Sequence, residues 1–153
     1  MSNNLIKLLA TFFYVGRMPL APGSLASFVG ALVYVCLYGN LWLYLMCVAA
    51  LAAIGFFVGG KMEKILAEKD PGCIVIDEVV GVLIAFFMLP LTWPVLITAF
   101  FLFRAFDMFK IYPVDKFEDL EGGTGIMMDD VIAGLYTNLV MHSALWLSRN
   151  VLP

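Results

Sequence analysis

The sequence predicts an all-α fold, a polytopic membrane helix bundle of about four to five transmembrane helices plus a short N-terminal helix. Composition is the first reason: 63% of the 153 residues are hydrophobic and 14% are charged, where a soluble domain is about half apolar and a quarter charged. The second is arrangement, since the apolar residues fall in long runs separated by short Gly, Pro and charged breaks. The third is the side on which the cations fall, taken up below. A chain of this length makes one domain.

The elements follow in order. Residues 3–15 form a helix too short to cross the ~30 Å hydrocarbon core, so it lies in the interface or packs on the bundle. The segment carries Lys7 and is followed by Arg17 and prolines, which argues against a cleaved signal peptide. Pro19 and Pro22 break the chain, and Ser24 reads as the N-cap of the next helix. Spans are expected over 25–38, 41–59, 74–89, 95–109 and 127–147. The second is uncharged and continues into an amphipathic stretch, Lys61 to Asp70, stopped by Pro71 and Gly72. The third and fourth are short and require tilt or local thinning; Trp93, in the turn between them, suits a membrane interface.

Lys7, Arg17, Lys61, Lys64, Lys69, Arg104, Lys110 and Lys116 all fall on one side of this arrangement, which the positive-inside rule makes cytoplasmic. Arg149 alone falls on the other. No basic patch points to nucleic acid. Cys36, Cys47 and Cys73 lack CxxC spacing and read as small buried hydrophobes.

Chemistry concentrates in residues 103–134, which hold seven of the twelve acids. Asp129-Asp130 is followed by Gly134, and Asp77-Glu78 by Gly81. Asp77 and Gly81, like Asp130 and Gly134, are four apart, so acid and glycine share a helix face and the glycine admits a second helix. Acids at a helix start complement the macrodipole; two adjacent pairs bordering hydrocarbon point instead to function. Arg104, Asp107 and Lys110 line one face at the end of the fourth span. Together these groups read as a hard-metal and phosphate site, because Mg²⁺ prefers a few carboxylates plus phosphate oxygens. Gly122-Gly-Thr-Gly125 reads either as a loop whose N–H groups approach phosphate or as a plain turn. The turn at Gly23-Ser24 would aim helix N–H groups at an anion. The middle, 115–121, reads as solvated surface.

Other motifs carry less. The stretch from Gly55 to Lys61 approaches a P-loop, but Met62 stands where Mg²⁺ needs a hydroxyl. Gly55 and Gly59 form instead a GxxxG face, for packing within the chain or for a homodimer. His142, the only histidine, is placed for an interhelical hydrogen bond rather than catalysis. The acids leave one alternative from another class, a small cation carrier or channel subunit, although carriers place their sites near the midplane.

At these motifs the sequence resembles the phosphatidylglycerophosphatase A family of bacterial membrane phosphatases. The resemblance rests on Ala21-Pro-Gly-Ser24, Ile74-Val-Ile-Asp77-Glu78 with Gly81, Phe103-Arg104 with Phe106-Asp107 and Lys110, and Gly122-Gly with Gly125-Ile-Met, Asp129-Asp130 and Ala133-Gly134. Ile76 and Ile111 depart from the family's common pattern without removing a charge. The resemblance implies Mg²⁺-dependent conversion of phosphatidylglycerophosphate to phosphatidylglycerol at the cytoplasmic face of the bacterial inner membrane, with the substrate drawn from membrane lipid. It places one or two Mg²⁺ on Asp77, Glu78, Asp107, Asp129 and Asp130, and the phosphate on Arg104, Lys110, Gly23 and Ser24. Attack by water and attack by an aspartate are both compatible with these residues.

Overall fold

The computed structural model describes residues 1–109, 120 and 122–150. They form six α-helices and no strand: α1 (Asn3–Ala10), α2 (Pro22–Leu37), α3 (Leu41–Leu66), α4 (Ile76–Phe86), α5 (Trp93–Phe109) and α6 (Gly123–Asn150), with a 3₁₀ turn at Val15–Arg17 after α1. Two helices, α3 and α6, are long and apolar enough to cross a membrane. The expected four to five spans are thus not confirmed: among the described residues α2, α4 and α5 run for 16, 11 and 17 residues.

Helix ends differ from expectation where backbone preference outweighs capping. Pro22, whose fixed φ suits a first helical position, opens α2, and Ala21 precedes it in the left-handed region. Ser24 is thus inside the first turn and is not the N-cap. Asn40 does cap α3, its Oδ1 accepting from the Leu43 N–H at 3.1 Å. The helix then runs unbroken from its apolar start into the charged segment and stops at Ala67. The sixth helix begins at Gly123, earlier than expected, so Asp129 and Asp130 lie almost two turns inside it.

The organising element is α4. Nine of its eleven residues are buried, and it packs against α2, α3, α5 and α6. At 1.5 Å per residue it is about 16 Å long, half the hydrocarbon thickness. A helix ending in an apolar interior leaves carbonyls that water cannot reach. Side chains of three other helices meet that need. The Tyr44 hydroxyl donates to Leu83 O and the Tyr34 hydroxyl to Leu89 O. Asn138 Nδ2 donates to Ala85 O at 3.1 Å and Phe87 O at 2.8 Å. His142 Nε2 lies 3.1 Å from Phe87 O, in the interhelical contact its position suggested.

The Asp-to-Gly spacing does bring α4 and α6 together. A Cβ on Gly134 would strike the Gly81 carbonyl, and one on Gly81 would lie 2.9 Å from the Asp130 carbonyl and 2.7 Å from the Phe103 ring. Gly55 and Gly59 are also used inside the chain, facing Met127 and Gly123 of α6. A homodimer through that face would have to displace α6. Outside, large apolar side chains such as Trp42, Met46, Phe57, Phe101 and Leu139 are exposed, while Asp77, Asp129 and Asp130 are buried. A membrane inverts the soluble pattern in this way.

Candidate active site

The acids gather where α2, α4 and α6 begin and α5 ends. Each adjacent pair is built alike. Asp77 Oδ1 accepts from the Glu78 N–H at 3.1 Å, and Asp129 Oδ1 accepts from the Asp130 N–H at 2.9 Å. In α4 this satisfies an N–H of the first turn, whereas in α6 the same contact recurs almost two turns inside the helix. One oxygen each from Asp77, Glu78 and Asp130 comes within 4.8 Å of the others, a spacing that one cation could bridge.

Asp107 adjoins Asp130 and Glu78, and its Oδ2 lies 2.5 Å from Arg104 Nη1. Asp129 is buried beside this group, within electrostatic reach of Asp77 and Asp130, but is not one of the three that converge. Among the described residues, three buried side-chain polar atoms have no hydrogen-bond partner: Glu78 Oε2, Asp130 Oδ1 and Arg104 Nε. Leaving such atoms unmatched is costly unless a ligand completes them. Two are acceptors a cation would satisfy, and one is a donor a phosphate oxygen would satisfy. The ligands on offer are hard carboxylate oxygens without thiolate or imidazole, a set that suits a hard cation such as Mg²⁺, Ca²⁺ or Mn²⁺ rather than zinc.

Gly23 belongs to the same place. A Cβ there would fall on Glu78 Oε1 and lie 3.5 Å from Arg104 Nη1. Ser24 is half-buried next to it. The phosphate-loop reading of Gly122-Gly-Thr-Gly125 is corrected: Gly123 and Gly125 are buried in α6, and Gly123 packs against the Phe56 carbonyl and Gly60 of α3. Lys110 and the segment 111–119 lie outside the described residues.

Ser27 was not anticipated. It is fully buried; its Oγ donates to Gly23 O at 2.8 Å and sits 3.5 Å from Arg104 Nη1. It therefore ties the α2 turn to the α5 cation. The four-residue spacing from Gly23 was the available signal, but a serine returning its proton to its own helix is common in apolar runs.

Comparison with known proteins adds the family. The family model described as phosphatidylglycerophosphatase A matches residues 8–145. A Bacteroides thetaiotaomicron protein named provisionally as a phosphatidylinositol-3-phosphatase is 36% identical over 91% of this chain and 92% of its own length. Phosphatidylglycerophosphatase A of Haemophilus influenzae is 38% identical over 92% of this chain and 88% of its own. That of Escherichia coli is 32% identical over 88% and 80%. No solved structure matches. The matched stretch takes in every helix that supplies an acid, and with two relatives of that name aligned along most of their length, the chain belongs to the phosphatidylglycerophosphatase A family.

Proposed function

We propose that this protein removes the terminal phosphate monoester of phosphatidylglycerophosphate, giving phosphatidylglycerol and phosphate, with Mg²⁺ on the acid cluster. The carrying observation is the convergence of Asp77, Glu78 and Asp130, with two of their oxygens unmatched, next to the Arg104 guanidinium. Family membership supports the reaction; the substrate named for two relatives supports the lipid. The carrier alternative finds no support, because the acids sit at one end of the bundle and the family is one of phosphatases.

Asp77, Glu78 and Asp130 would hold the metal, with Asp107 and Asp129 completing its surroundings. Bound there, Mg²⁺ polarises the phosphoryl group and favours ionisation of water. Arg104 and the N–H groups opening α2 at Gly23 and Ser24 face the phosphate oxygens, which the positive end of a helix favours. Lys110 is the further cation proposed for this role. Water oxygen bonds to phosphorus, the ester P–O bond breaks, and the lipid alkoxide takes a proton. An aspartate could make the first attack instead; trapping labelled phosphate on the protein during turnover distinguishes the two.

On this reading the protein is a multi-pass protein of the bacterial inner membrane with its acid end toward the cytoplasm, supported by the positive-inside rule, since the sequence assigns eight of its nine cations to that side. The lipid then enters from the bilayer while its head reaches the acids. Phosphate release by purified protein, with and without Mg²⁺, tests the reading. Activity should require the metal and fall in Asp129→Asn and Asp107→Asn. Unchanged activity in both variants overturns the assigned site. Phosphatidylinositol 3-phosphate, run in parallel, shows whether the headgroup named for the Bacteroides relative is preferred.

A further inference from the structure

The end of the bundle away from the acids has its own chemistry. It is formed by the α2–α3 turn, the α4–α5 connection and the end of α6. A cavity of about 420 Å³ lies there between Tyr34, Leu37, Asn40, Phe87 and Arg149. A second of about 520 Å³, lined by His142, Leu145 and Trp146, adjoins it and shares Met88, Pro90 and Arg149. Arg149 is thus the wall between a mostly apolar space and one of mixed lining.

Three observations fix what could fill them. All three tryptophans of the chain, Trp42, Trp93 and Trp146, are at this end, 78%, 79% and 64% exposed. Tryptophan collects at the headgroup level of a bilayer, so the cavities open at that depth. Next, Arg149 is the only charged side chain at this end among the described residues, and no described acid pairs with it. Finally, most nearby polar groups are committed elsewhere: Tyr34 donates to Leu89 O, Tyr44 to Leu83 O, and Asn40 caps α3, which leaves the Tyr38 hydroxyl as a neutral group in the first cavity. Among the described residues the site offers one unmatched cation at headgroup depth above apolar walls.

We propose that this end binds an anionic phospholipid, its phosphate on Arg149 and its acyl chains along Leu37, Met88 and Leu145. The proposal rests on the membrane placement and not on the phosphatase activity. A zwitterionic lipid is disfavoured because its ammonium finds no carboxylate here among the described residues.

The test uses the full-length protein in phosphatidylcholine nanodiscs, with Trp42→Phe and Trp93→Phe leaving Trp146 as reporter. Brominated phosphatidylglycerol should quench Trp146 as though enriched about fivefold over brominated phosphatidylcholine, the factor that one arginine supplies at an anionic surface. Arg149→Lys should keep the preference and Arg149→Gln should abolish it. Asp129→Asn should leave it intact, which separates this site from the acid end. Equal quenching by the two lipids, or a preference surviving in Arg149→Gln, overturns the proposal. So does loss of the preference in Asp129→Asn, or relief of quenching by soluble glycerol phosphate, which would make a free phosphate ester the occupant.

Discussion

At Gly23 the Glu78 carboxylate occupies the space a Cβ would take, so a side chain there would have to move that carboxylate. Gly23→Ala should displace that carboxylate or Arg104. Since a displacement of about 1 Å costs roughly 100-fold in rate, a loss of that order in kcat with an unchanged melting temperature is expected. Ser24→Ala, one residue on, is the control for the turn itself. Ser27→Ala removes a hydroxyl from both Gly23 O and Arg104, and should raise KM for the phosphorylated lipid more than it lowers kcat. These residues differ in how legible they were. Carboxylates in an oily sequence announce themselves, since burying them is expensive. Ser27 did not, because its contact with Arg104 joins positions 77 apart along the chain.

The α4–α6 pair was legible as an approach but not as a length. Acid and glycine four apart on each helix foretold the crossing at Gly81 and Gly134, whereas the apolar run 74–89 continues beyond both ends of an eleven-residue helix. Hydropathy registers that Phe87 and Leu89 shun water, not that their carbonyls are received by Asn138, His142 and Tyr34. Two substitutions test this capping and crossing by denaturation in detergent. Asn138→Ala strips the amide from two α4 carbonyls and should cost about 1–2 kcal/mol. Gly134→Ala drives a Cβ into backbone, which cannot swing aside as a side chain does, and should cost about 1–3 kcal/mol. The second should also reduce activity, because any separation of the helices there pulls Asp130 from Asp77.

For the molecule as a whole, the layer of acids opposes the packing that creates it. Asp77 and Glu78 come from α4, Asp107 from α5, and Asp129 and Asp130 from α6, and of the described cations only Arg104 pairs among them. Their mutual repulsion pushes apart the helices that Gly81 and Gly134 draw together. A divalent cation bound there would reverse this and link metal binding to stability: at 100 times its dissociation constant a ligand bound only by the folded form adds about 2.7 kcal/mol. Thermal unfolding of the wild type in detergent should therefore shift upward with Mg²⁺ and downward with a chelator. Asp130→Asn removes both a proposed metal ligand and a source of repulsion. In chelator it should melt above the wild type, and Mg²⁺ should raise it far less. A cluster that served only to cap its helices would behave in the opposite way, with no response to Mg²⁺ and a less stable Asp130→Asn under every condition. The sign of that one difference in chelator separates a metal centre from a structural acid layer without any substrate present.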